Sequence, residues 1–148
     1  MRHKAYLGLQ LLMWSVCAFH VVVGAGLNVS SGFVEPMARI YGAHQAEWSP
    51  QFLYILRPLG VFMLALGVLA GVAASNPGKY RAIIFVFAGI FIVRALQRVF
   101  LGQEISDTFG IDASRNTGNM VFFFGLAAVL LILAIASQGA DKARSLGA

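Results

Sequence analysis

The chain has 148 residues, 59% of them hydrophobic and only 11% charged, with a formal net charge of +5. Soluble domains carry about 25% charged residues, so the composition excludes an ordinary soluble domain and points to a membrane protein. The single cysteine, Cys17, excludes an internal disulfide, and no Cys/His cluster suggests a structural metal.

Four apolar segments follow in chain order, at about 7–27, 52–74, 80–101 and 120–136. Each approaches the roughly 20 residues that cross a hydrocarbon core, the last being the shortest. The N-terminal MRHK and the apolar stretch after it also resemble a secretory signal, but the run exceeds a signal core and is expected to remain as the first span. Between the first two segments, residues 28–50 carry Tyr41, Trp48 and Pro50, and an interfacial helix is expected around Val34–Tyr41. SNPGK, Ser75–Lys79, reads as a tight turn that makes the second and third segments an antiparallel hairpin. Residues 102–119, GQEISDTFGIDASRNTGN, are polar and read as a loop. The expected fold is therefore all-α, a single four-span transmembrane bundle over residues 1–148.

Basic residues give the expected orientation. Arg2, Lys4, Lys79, Arg81, Lys142 and Arg144 fall on one side with Asp141, while the other side carries five arginines and five acids. The whole excess of +5 thus marks a cytoplasmic side that holds both termini. It is a topology signal rather than a nucleic-acid surface, and the expected location is a bacterial inner membrane.

The candidate site comes from ionisable residues inside apolar runs. Counting 1.5 Å per residue from the segment ends, His20, Arg57 and Arg94 come out at one depth in the outer third of the bilayer, with Gln97 and Arg98 one turn higher. Phe87, Phe91, Arg94 and Arg98 share a helical face, so Arg94 is expected to face the bundle interior beside Arg57 and His20. Arg98 is expected nearer the outer surface. Such charges need acids, carbonyls, water or a bound anion for compensation. Glu35, Glu47 and Glu104 are the first candidates, and an anionic or carbonyl-bearing head group the second. His20 as a haem ligand lacks a well-placed second histidine, since His3 and His44 lie in polar end regions. Gly60, Gly67 and Gly71 form a small-residue stripe that predicts close helix packing along the second segment.

At LRPLGVFMLALGVLAG, Leu56–Gly71, and RALQR, Arg94–Arg98, the chain resembles small bacterial four-helix membrane proteins of unknown function and, more loosely, the DoxX-like group. The resemblance implies a four-helix membrane bundle. Some DoxX-like proteins are associated with quinone-linked oxidation, yet no motif here carries that activity over residue by residue.

The chain shows no P-loop, HExxH or GxSxG pattern and no carboxylate within an apolar segment. No catalytic residue, metal ligand or cofactor is assigned, and an enzyme is the lesser reading. The leading expectation is a non-catalytic accessory or scaffolding subunit that packs against a larger membrane complex. The alternative is a protein that binds a lipid, quinone or other amphiphile through His20, Arg57, Arg94, Gln97 and Arg98, with a role as redox helper included.

Overall fold

A computed structural model describes residues 2–44 and 48–138 of the chain. Glu47, Asp141, Lys142 and Arg144, which entered the charge pattern, lie outside the described residues. Six α-helices follow in order: α1 Arg2–Val29, α2 Val34–Tyr41, α3 Pro50–Ser75, α4 Arg81–Phe100, α5 Gly102–Phe109 and α6 Ala113–Ala136. A 3₁₀ turn, Ser31–Phe33, links α1 to α2. Four of the helices, α1, α3, α4 and α6, are long and apolar enough to span a membrane. The chain is an all-α membrane protein built as a four-helix bundle.

The helix boundaries follow local chemistry. Ser49 caps α3 by accepting the Phe52 N–H at 3.2 Å, and Pro50 occupies the first turn, where its missing N–H leaves no bond unmade. Gly42 ends α2 in the left-handed region at φ +90°, and Gly110 ends α5 at φ +63°. In the turn after α3 the Asn76 side chain accepts the Lys79 N–H at 3.1 Å.

Two sequence readings need correction. Residues 102–119 are not a loop: they form α5 and the first two turns of α6, which begins at Ala113 rather than near 120. Hydropathy registers only the apolar part of a helix, whereas backbone hydrogen bonding continues through its polar end. The second correction concerns neighbours. The turn at Ser75–Lys79 does join antiparallel helices, but α3 packs mainly against α1 and α4 mainly against α6. Contact between α1 and α6 unites the two pairs.

Glycine explains the α1/α3 pair. A Cβ on Gly24 would stand 2.7 Å from the Gly60 carbonyl oxygen, and one on Gly67 would stand 2.7 Å from Val21 Cγ2 and 3.1 Å from the Val21 nitrogen. Gly60 faces Gly24, Leu27 and Asn28, while Gly71 faces Cys17 and Trp14. The backbones approach closely along this stripe because no side chain separates them. The α4/α6 pair is filled by aromatic and small residues instead. Phe91 stacks on Phe123 with centroids 6.2 Å apart, and Ala88, Ala95, Ala127 and Ala134 are buried along the same two helices. Leu9, Met13 and Val16 from α1 complete the core with Ala70, Ala73 and Ala74 from α3.

Three small polar side chains inside the spans are absorbed locally. Ser15 donates to the Leu11 carbonyl at 3.1 Å, Asn28 to Gly24 at 2.8 Å and Thr117 to Ala113 at 2.9 Å. These bonds to the preceding turn satisfy groups that lipid could not.

Candidate functional site

The polar chemistry of the bundle lies at the end where α2 and α5 sit, opposite the start of α1 and the end of α6. Here α6 supplies most of the connecting groups. Arg98 is buried, only 8% exposed, and its Nη1 donates to Asn116 Oδ1 at 2.9 Å. The Asn116 amide returns a bond to the Arg98 carbonyl at 3.1 Å. The Arg98 guanidinium also lies 6.0 Å from the centre of the Tyr41 ring, within cation–π range. One turn further along α6 Asn119 donates to the Tyr41 carbonyl at 3.1 Å, and Arg115, the residue before Asn116, donates to the Ile40 carbonyl at 2.8 Å. Both acceptors are carbonyls at the C-terminus of α2, the negative end of that helix, which a cation complements. The short helix α2 is thereby fastened to α6. A main-chain bond from the His44 N–H to the Phe109 carbonyl at 3.0 Å ties α5 to the segment after α2.

The structure corrects one of the two arginines on α4. Arg94, expected to face the interior, is exposed; Arg98, four residues nearer the outer end of the helix as expected, is buried. Arg94 flanks the α4/α6 seam, its guanidinium 5.5 Å from the centre of the Phe123 ring. Arg98 continues the inward line of Phe87, Phe91 and Ala95, whereas Arg94 sits to one side of that line. Gln97 also faces outward.

The shared depth of His20, Arg57 and Arg94 is likewise not found. Gly67 lies against Cys17 and Val21, the turn that carries His20. Arg57 is ten residues nearer the α2 end of α3 than Gly67, an axial offset of about 15 Å. The His20 ring meets Phe87, with centroids 5.7 Å apart, and Arg94 is seven residues beyond Phe87, or about 10 Å along the axis. Depth counted from hydropathy boundaries misses these offsets, because the boundaries do not carry the axial register of one helix against another. His20 itself is 5% exposed and its Nδ1 lies 2.8 Å from the Val16 carbonyl. A carbonyl only accepts, so Nδ1 carries the proton in this bond.

Of the acids expected to compensate the arginines, Glu47 lies outside the described residues, and Glu35 and Glu104 form no ion pair with Arg57, Arg94 or Arg98. Glu35 pairs with Arg39 at 2.7 Å, on an exposed face of α2. Among the described residues Arg57, Arg94 and Arg98 form no ion pair with an acid; Arg98 is held by an amide and an aromatic ring. The described residues also bring no three His, Cys, Asp or Glu side chains together as a metal site.

Sequence reasoning missed Tyr41, Arg115, Asn116 and Asn119. A signal was present: Asn116, Asn119, Phe123, Ala127, Leu130 and Ala134 recur at spacings of three and four, which is one helical face. Extended upstream, the buried face of α6 runs directly into the two asparagines. No protein-family model, curated protein or solved structure matches the chain.

Proposed function

We propose that the chain is a non-catalytic integral membrane protein that serves as an accessory or scaffolding subunit of a larger membrane assembly, with both termini on the cytoplasmic side of a bacterial inner membrane. The observation that supports this reading is the division of polar groups. Those in the interior, His20, Arg98 and Asn116, are engaged in bonds that hold the bundle together. Gln97 and Arg94, on the outward side of α4, make no side-chain hydrogen bond among the described residues. A polar group on the outside of a spanning helix is best satisfied by a neighbouring helix, where small and polar residues govern association. Outward-facing Val93, Leu96 and Phe100 lie beside them and provide apolar area for such a contact.

The test is site-directed photocrosslinking in native membranes, with the crosslinking residue at Gln97 and, as a control, at Val68 on the outward side of α3. Discrete protein adducts from position 97 that are absent from position 68 support the subunit reading. Lipid adducts alone from both positions would overturn it.

A further inference from the structure

Between the end of α2 and the first turns of α6 lies a cleft of about 490 Å³, lined by Ile40, Ser114, Arg115, Gly118, Asn119 and Phe122. Its lining is ordered along the helix axis. Ser114 and Arg115 belong to the first turn of α6, and Phe122 lies eight residues beyond Ser114, about 12 Å towards the membrane interior. Hydroxyl, guanidinium and amide groups therefore stand at the outer end, and aromatic surface begins where the span enters the hydrocarbon. The surface below continues the same way. A Cβ at Gly118 or Gly125 would meet nothing within 4 Å, and these two glycines, seven residues apart, share a helical face. Outward-facing Phe122, Val129 and Ile132 border them. Together they form an outward apolar face of α6 that runs down from the cleft and is open at the two glycines.

Charge completes the pattern. Arg115 gives one N–H to the Ile40 carbonyl at 2.8 Å, and a guanidinium has five N–H donors in all. Among the described residues no acid forms an ion pair with it, so its charge is not neutralised by any of them. The exposed Ser114 hydroxyl is its neighbour.

We propose that this cleft seats one anionic phospholipid, with its phosphate against Arg115 and Ser114 and one acyl chain along Gly118, Phe122 and Gly125. Unlike the expected cluster of His20, Arg57 and Arg94, this site has donors and apolar surface in the vertical order of a lipid in a leaflet. A water-soluble phosphate would occupy only the upper half. The proposal is independent of whether the chain serves as an accessory subunit.

Native mass spectrometry of the purified full chain in detergent tests it, titrating phosphatidylglycerol and phosphatidylcholine in separate series. The wild type is expected to retain one phosphatidylglycerol about tenfold more tightly than phosphatidylcholine, the scale of one charge-assisted contact. Arg115→Gln should abolish that preference. Because Arg115 also fastens α2, Ser114→Glu serves as a second variant: it breaks no described bond, places a negative charge in the cleft and should lower phosphatidylglycerol retention by a similar factor. Gly118→Leu fills the open space at the cleft and should weaken both lipids. Competition by inorganic phosphate without loss of the acyl-chain effect would place the site with soluble anions and overturn the lipid assignment. Equal retention of the two lipids by the wild type, or unchanged retention in folded Ser114→Glu and Gly118→Leu proteins, would also overturn it.

Discussion

Arg98 and Asn116 hold each other twice, the guanidinium donating to the amide oxygen at 2.9 Å and the amide nitrogen donating to the Arg98 carbonyl at 3.1 Å. The pair joins α4 to α6 at the level where the apolar stacking of Phe91 on Phe123 gives way to polar contacts. Removing one partner strands the other in a buried place. Asn116→Leu is expected to destabilise the bundle by about 1–3 kcal/mol, as measured by unfolding in mixed detergent micelles. The Arg98→Leu/Asn116→Leu double variant should lose less than the sum of the two single variants, by about 1 kcal/mol or more, because the groups are in contact. Additive losses would show that the pair does not act as a unit.

The two arginines of α4 should therefore behave in opposite ways. Arg98→Leu leaves the Asn116 amide oxygen without its donor. Arg94→Leu removes an outward charge and a ring contact, and its expected effect on stability is under about 1 kcal/mol. The same unfolding measurement ranks them. Equal losses would mean that Arg94 is engaged in the interior after all.

Gly67 offers a steric test of the α1/α3 pair. Gly67→Leu drives a side chain into Val21 and should cost about 1–3 kcal/mol or prevent proper packing. Gly89→Leu is the matched control, since a Cβ at Gly89 meets nothing within 4 Å. Detergent stability should fall in the first variant and hold in the second. If both are silent, α1 and α3 do not approach as described.

Gly42 tests the α2 fastening. Its φ of +90° is unfavourable for any residue with a Cβ, and a Cβ there would also run into Arg115 Cγ. Gly42→Ala should cost about 1–2 kcal/mol from the left-handed backbone alone. Limited proteolysis after the substitution should open the segment around α2 before the spanning helices.

Topology can be read with single cysteines in a Cys17→Ala background. Ser75 ends α3 and Ser114 lies in the first turn of α6, at opposite ends of the bundle, and both are exposed. An impermeant maleimide added outside intact spheroplasts should label Ser114→Cys and spare Ser75→Cys. Labelling of Ser75→Cys alone would invert the orientation, and labelling of both from one side would contradict the four spans.

Much of the architecture was legible because it depends on short-range physics. Four apolar windows near the length of a bilayer core, a polar Asn-Pro-Gly turn after Ser75 and the short helix Val34–Tyr41 can each be read from neighbouring residues. The start of α6 was missed for the complementary reason. Residues 113–119 are polar, so hydropathy stopped at the apolar boundary, although the asparagine-to-phenylalanine spacing carried the helix further.

By itself, then, the sequence determined that this is a membrane protein of four spanning helices, since partition into hydrocarbon and satisfaction of the backbone depend on composition and length. Only the tertiary structure decided which helices are neighbours, that Arg98 rather than Arg94 turns inward, and that Arg57 stands about 15 Å along the axis from the turn bearing His20. Those outcomes depend on the rotation and axial register of one helix against another. They are set where Gly24 meets Gly60 and Phe91 meets Phe123, contacts between residues far apart in the chain that no local window contains.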